Sequence, residues 1–435
     1  MKRLLITAAL LVACKDKAPP PSTTTAPPAP PVAPAADAKE AFVQHEVKTD
    51  MPPPAEITSL VKANNHFALE LWTHAGPGNN AISPLSISTA LAMAWAGAKG
   101  DTAEQMRKTM HLEGKTDSLV SQWARISYAM QDASRPLVLK MANRLYGDAH
   151  YEFDTIYFTI TRKAFSAPLE IVDFHTDPEA ARAKINTFVA DQTEQRIKDL
   201  LPPRSVDAET RLVIINAIYF LADWATPFDK AATHDAEFHV SAASKKTVPM
   251  MHLQDNFKLA RGAGASMIEL PYKERTASMY ILLPDKVDGL AALEKKLPDT
   301  LKALQPKLAD QTVLVSLPRF VIDPGEPLRL AKPLQALGMV DAFDRDKADF
   351  TGIAKPVDPK DRLFIGEVLH KAFVKVDEKG TEAAAATAVI MPRGAGPPPA
   401  ATAFNADHPF LFLIVDRGSG LILFVGRVVE PVPPT

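Results

Sequence analysis

The chain has 435 residues, enough for one large domain or two to three ordinary ones, and its 46% hydrophobic and 23% charged content is that of a globular protein. A net charge of −2 supplies no electrostatic reason for a nucleic acid partner. The single cysteine, Cys14, excludes an intrachain disulfide and a cysteine metal cluster.

The N-terminus reads as a processing signal. Lys2 and Arg3 precede an apolar stretch from Leu4 to Ala13, too short to span a bilayer but suited to a signal-peptide core. Small and branched residues directly before Cys14 resemble the bacterial lipoprotein cleavage box. That resemblance implies a signal peptide over 1–13 and a mature chain lipidated at Cys14; the alternative is an ordinary secreted protein cleaved near Ala13. Residues 14–55 follow as a tether, because Pro19-Pro20-Pro21, Pro27-Pro28 and Pro30-Pro31 favour extended polyproline II without a core. At roughly 3.1 Å per residue the tether reaches on the order of 100 Å.

From Glu56 onward the pattern mixes helices and strands. Ile57–Gly76 has helical spacing, Ser83-Pro84 introduces an apolar helix over Leu85–Ala98, and Ala180–Leu201 reads as a helix halted by Pro202-Pro203. Strands are predicted over Leu212–Phe220, Ser278–Leu283, Thr312–Leu317 and Phe410–Val415. The last is joined to Leu421–Val429 by the turn Asp416-Arg417-Gly418-Ser419-Gly420. The near-continuous apolar runs at 410–415 and 421–425 imply strands buried on both faces.

Enzyme signatures are lacking: there is no Gly-x-Ser-x-Gly elbow, no phosphate loop and no His-Glu-x-x-His. Gly262-Ala263-Gly264 lacks a third glycine and reads as a turn. The histidines show no metal-ligand spacing, so neither a metal nor a cofactor is expected, and His370 reads as a buried, hydrogen-bonded structural histidine.

Residues 376–388, Val-Asp-Glu-Lys-Gly-Thr-Glu-Ala-Ala-Ala-Ala-Thr-Ala, hold the informative pattern. Local propensity alone favours an alanine-rich helix capped by Thr381. The run from Asp377 to Thr387, however, resembles the hinge of inhibitory serpins almost letter for letter. Further segments agree in serpin order, among them Asn80-Ala81-Ile82-Ser83-Pro84, Ala142-Asn143-Arg144-Leu145-Tyr146-Gly147, Asn216-Ala217-Ile218-Tyr219-Phe220 with Trp224, Leu317-Pro318-Arg319-Phe320 and Ala406-Asp407-His408-Pro409-Phe410. The resemblance covers about residues 57–431 and overrides the helical reading.

It implies an α+β serpin fold over 56–435, with three β-sheets, eight or nine helices and an exposed reactive-centre loop over about 378–403. It further implies a monomer that acts on a target serine protease, and in second place a cysteine protease, as an irreversible suicide substrate. The cleaved loop would then insert into the main sheet as a new strand. Glu378, Gly380, Thr381, Glu382, Ala383, Ala384, Ala385 and Ala386 match the hinge. Ser83, Ser86, Asn216 and His370 match the shutter beneath the main sheet, and Trp224 matches the breach where the loop enters.

Strand alternation would turn Thr381, Ala383, Ala385, Thr387, Val389 and Met391 inward, all small or apolar, and Glu382 outward. No proline or glycine interrupts 381–391, so every backbone group can join a ladder. Family spacing from the hinge puts the scissile bond at Arg393–Gly394 or Gly394–Ala395. Counting back from His408-Pro409-Phe410 reaches Pro398, so the loop carries about four extra residues, and prolines at 392 and 398 disfavour cleavage beside them. Arg393 would suit a trypsin-like pocket, and Gly394–Ala395 an elastase-like one. Membrane attachment through Cys14 places the protein at the cell envelope, in the periplasm or on the surface, with secretion as the alternative. A non-inhibitory serpin serving as a surface binding or scaffold protein is the competing function.

Overall fold

The computed structural model describes residues 54–165, 167, 169–355, 361–381 and 401–434. Among these, nine α-helices and three β-sheets form one mixed structure in which helices cover the sheet faces.

The main sheet has seven strands. Its long members are Leu137–Asp148, Leu212–Asp223 and Glu367–Val376, edged by Glu170–Val172 on one side and by Phe320–Ile322 and Leu328–Arg329 on the other. Leu212–Asp223 is buried along nearly its whole length, because both of its faces are covered. On one face its even-numbered residues Leu212, Ile214, Ile218, Phe220 and Ala222 join the large core with the helix Pro84–Trp95. On the other, Val213, Ile215, Ala217 and Tyr219 pack with Ile185 and Val189 of the helix Pro178–Gln192, alongside Leu369 and Phe373 of the neighbouring strand. That helix lies against the strand Leu137–Asp148, whose Ala142 and Tyr146 join the same cluster.

The second sheet has nine strands and carries the C-terminal hairpin: Phe410–Asp416 pairs antiparallel with Ile422–Val428, both almost fully buried as the apolar runs predict. Its longest strand, Ser244–Gly262, pairs with Ala309–Pro318, whose other edge takes Thr402–Asn405 in parallel. Gly262-Ala263-Gly264 is the predicted turn, with positive φ at all three residues.

Predicted boundaries shift by a few residues in several elements, and one shifts by most of a helix. The helix expected over Ala180–Leu201 begins at Pro178 with Asp177 as its N-cap and ends at Gln192. Glu194 and Gln195 take positive φ, and the Thr193 hydroxyl donates to the Val189 carbonyl while accepting from the Ile197 amide. The segment 193–201 is thus a folded cap without glycine, and local propensity cannot distinguish it from a continuing helix.

Candidate functional site

The two central strands, Leu212–Asp223 and Glu367–Val376, pair directly and in parallel, from Glu367 opposite Val213 to Phe373 opposite Tyr219. Above Tyr219 they diverge, and the chain that leaves Val376 turns back into the gap. Asp377 and Gly380 close the turn through mutual backbone bonds. Gly380 then pairs with Asp223, and Thr381 pairs with both Ala222 and Val376, antiparallel on each side. The first rung of an additional central strand is therefore already in place, above a seam that is zipped.

Each described hinge residue is fixed by a nameable contact. The Glu378 carboxylate, 3% exposed, accepts from the Thr233 hydroxyl at 2.8 Å and lies 3.6 Å from the Arg319 guanidinium. Its carbonyl accepts from the Phe228 amide at 2.8 Å, and the Lys379 carbonyl accepts from the Trp224 amide at 2.7 Å. The Trp224 indole N–H donates to the Asp377 carbonyl at 3.0 Å, and its ring stacks on Tyr272 at 4.6 Å. The Tyr272 hydroxyl meets that of Thr381 at 2.7 Å, and burial pushes the phenol well above its ordinary pKa, so it remains a neutral hydrogen-bonding group. At Gly380 a Cβ would come within 2.0 Å of the Ala222 carbonyl oxygen, so only glycine fits against that backbone.

The predicted shutter residues are also brought together. Ser83 caps the helix Pro84–Trp95, its hydroxyl accepting from the Ser86 amide. Its own amide donates to Nε2 of His370 at 3.1 Å, which assigns the imidazole proton to Nδ1, and Nδ1 donates to Asn216 Oδ1. Asn216 Nδ2 donates to Ser86 Oγ at 2.6 Å, and the Ser86 hydroxyl donates to Asn143 Oδ1 at 3.0 Å. Ser83, Ser86, Asn216 and His370 are inaccessible to solvent. Burial, above all, holds His370 at a pKa of about 3, so it is a neutral structural group as expected.

Asn143, Asn216 and His370 stand on one rung across three adjacent strands, a polar row through an otherwise apolar layer. Asn143, Tyr272, Thr233 and Arg319 have no role that the sequence alone reveals, although Asn143 and Arg319 fall within the serpin-like segments 142–147 and 317–320. Strand alternation aligned on Asn216 would have found Asn143; no local pattern marks Tyr272 or Thr233. Cys14, Glu382, Ala383, Ala384, Ala385, Ala386, Arg393, Gly394 and Ala395 lie outside the described residues. What the structure does fix is the loop's two ends, at Thr381 in the main sheet and beside Thr402–Asn405 on the edge of the second sheet.

A sequence profile described as serpin (serine protease inhibitor) matches residues 62–431. This chain belongs to the serpin family. It is 40% identical over 393 residues to the leukocyte elastase inhibitor of Equus caballus, covering 86% of this serpin and 99% of the relative, and 41% identical over 387 residues to that of Bos taurus, with the same coverage. Among solved structures it is similar to Serpin48 of the insect Tenebrio molitor, a highly specific serpin, with a TM-score of 0.76, 32% identity, and 87% and 98% of the two chains covered. Human thyroxine-binding globulin in complex with its hormone superposes with a TM-score of 0.77 at 26% identity, covering 87% of this serpin and all of that chain. The fold thus also serves a thyroxine-binding protein, and inhibition has to be argued from the site.

Proposed function

We propose that this serpin inhibits serine proteases as an irreversible suicide substrate. The attacking serine oxygen bonds to the carbonyl carbon of the bait residue, the peptide bond to the next residue breaks, and the freed amine leaves with the proton passed on by the protease's base. Insertion of the loop then displaces the ester-linked protease before water can cleave the ester.

One observation carries this reading: the antiparallel register begun by Gly380 and Thr381 at the top of the seam. Continued downward against Leu212–Asp223, that register sets Met391 opposite Leu212, the first residue of the strand. The uninterrupted stretch 381–391 therefore matches the slot, and Pro392, which cannot donate to a ladder, falls just beyond it. The inward parity is set by Thr381, whose partner Ala222 belongs to the large core. It gives Ala383, Ala385, Val389 and Met391 the partners Phe220, Ile218, Ile214 and Leu212 on the same core-facing side. Thr387, the one polar member after Thr381, comes opposite Asn216 on one side and, by the pairing of Thr381 with Val376, opposite His370 on the other. Insertion parts those two residues, and a threonine hydroxyl, both donor and acceptor, replaces their direct bond. It also exchanges a parallel central pair for two antiparallel ones, the slightly more stable arrangement per residue.

The bait bond is Arg393–Gly394 on this reading, two residues past the strand end, and the target is trypsin-like. The names of the relatives favour a second reading, Gly394–Ala395 with an elastase-like target. Incubation with trypsin-like and elastase-like enzymes is expected to give a detergent-stable complex with one of them, and mass spectrometry of the released peptide identifies the bond. Clean loop cleavage without any complex, and an unchanged melting temperature after cleavage, would instead favour a binding or scaffold role. Lys2-Arg3, the apolar stretch 4–13 and Cys14 support export and lipid anchoring at the cell envelope, with the proline-rich tether as spacer. Among the described residues no helix is long and apolar enough to cross a membrane.

A further inference from the structure

We propose that His66, Glu70 and His111 form a binding site for one divalent transition-metal ion of the zinc type, remote from the loop machinery. His66 and Glu70 lie one turn apart on the same face of the helix Pro54–Trp72. His111 comes from the end of the helix Gly100–Thr109. Its Nε2 lies 2.7 Å from one Glu70 carboxylate oxygen, and His66 Nε2 lies 3.5 Å from the other. The ligand atoms of all three side chains fall within 4.8 Å of one another. Two imidazoles and a carboxylate, with solvent free to supply a fourth ligand, are a donor set and geometry that suit Zn²⁺.

The two imidazole rings stack face to face, 4.0 Å between centroids and 16° from parallel, with both Nε2 atoms directed at one carboxylate. A metal ion placed between the two Nε2 atoms and the carboxylate would be bound by both rings in their neutral form.

The backbone also holds His111 in place. The helix before it ends in a Schellman motif: the Leu112 amide donates to the Arg107 carbonyl at 2.9 Å, and the His111 amide donates to the Lys108 carbonyl at 3.0 Å. His111 occupies the left-handed position of that motif at φ 53°, a conformation histidine adopts more readily than most non-glycine residues, and the motif fixes the backbone from which its imidazole projects. By contrast, the cluster of Asp148, His150 and Asp173 has its buried member already committed. Asp148 accepts from His150 through one oxygen and from the Phe174 amide through the other.

The sequence conceals this site because His111 is 41 residues from Glu70. A bound ion would tie the first helix to the end of the Gly100–Thr109 helix and stabilise the native form by mass action. The test is calorimetric titration of the full chain with ZnCl₂, together with the visible absorption of bound Co²⁺ as a report on coordination. The variants are His66→Ala, at an exposed position, and His111→Asn, which keeps the backbone conformation. The expected result is one ion per chain, with affinity reduced about 10–100-fold or more in each variant, since loss of a direct ligand costs at least as much as loss of an outer-shell partner. Absence of saturable binding overturns the proposal. So does binding that survives both substitutions, or binding that is lost only in His150→Ala.

Discussion

The hydroxyls of Tyr272 and Thr381 meet at 2.7 Å in a position where neither residue is exposed to solvent, so the hinge threonine occupies its inward pocket before any cleavage. Thr381→Arg places a cation in that pocket without a partner, at a cost of several kcal/mol. A rise of only about 2.8 kcal/mol in the insertion barrier slows the step roughly 100-fold, and the ester to the protease is then hydrolysed first. The variant is expected to be cleaved as an ordinary substrate, read as loss of the detergent-stable complex with the cleavage rate maintained.

Gly380→Ala tests the same rung through the backbone. The added Cβ meets the Ala222 carbonyl oxygen at 2.0 Å and Asp223 Cα at 2.7 Å, atoms of a central strand that cannot yield. The pairing of Gly380 and Thr381 is expected to be lost, lowering native stability by about 1–3 kcal/mol. Trp224 reports it, because its indole donates to Asp377 in the hinge turn. A changed emission spectrum in the alanine variant, abolished when Trp224→Phe is added, is the expected signature.

The polar rung makes native stability depend on pH. Burial holds His370 at a pKa of about 3, against an ordinary value of 6.5. A proton on Nε2 would also set two donors against each other, since the Ser83 amide already points at that nitrogen. The unfolded chain binds the proton below about pH 6.5 and the folded chain does not, so this contribution is present above that pH. It is lost as pH falls from about 6.5 towards about 3, with a limiting slope of roughly 1.4 kcal/mol per pH unit. Urea midpoints measured across that range are expected to fall in the wild type and to fall less steeply in His370→Gln.

The parts of the fold that could be read from sequence are those whose burial is uniform along the chain. Phe410–Asp416 and Ile422–Val428 are apolar along most of their length and joined by a turn-forming segment, so both strands and their pairing were legible. Glu367–Val376 is as deeply buried but carries His370, Lys371 and Lys375, whose polarity is offset only by tertiary partners such as Asn216 and Asp323. Ser244–Gly262 begins with charged residues on an exposed stretch and likewise shows no clear period. At the site, Glu378, Gly380, Thr381 and the four shutter residues were named through the family resemblance. Asn143 and Tyr272 did not, because their roles depend on which strand lies beside which, and contacts such as Tyr272 to Thr381 join positions 109 residues apart.

Thr387→Val separates the native fold from the inserted one. The register begun at Thr381 carries residue 387 to the level of Asn216 and His370, which in the native sheet bond directly to each other. Valine matches threonine in shape and, as a β-branched residue, in strand preference, so backbone pairing along the loop is unaffected. What it lacks is the hydroxyl that would join Asn216 to His370 once the strands have parted. Two buried polar groups then lose a partner, at about 1–3 kcal/mol each. Uncleaved Thr387→Val is therefore expected to melt with the wild type, while its loop-cleaved form melts below cleaved wild type. Complex formation should decline in favour of plain cleavage. Thr387→Ser, which restores a hydroxyl, should recover both measurements. An equal loss in the uncleaved protein, or no loss in the cleaved one, would show that the strand does not enter in this register.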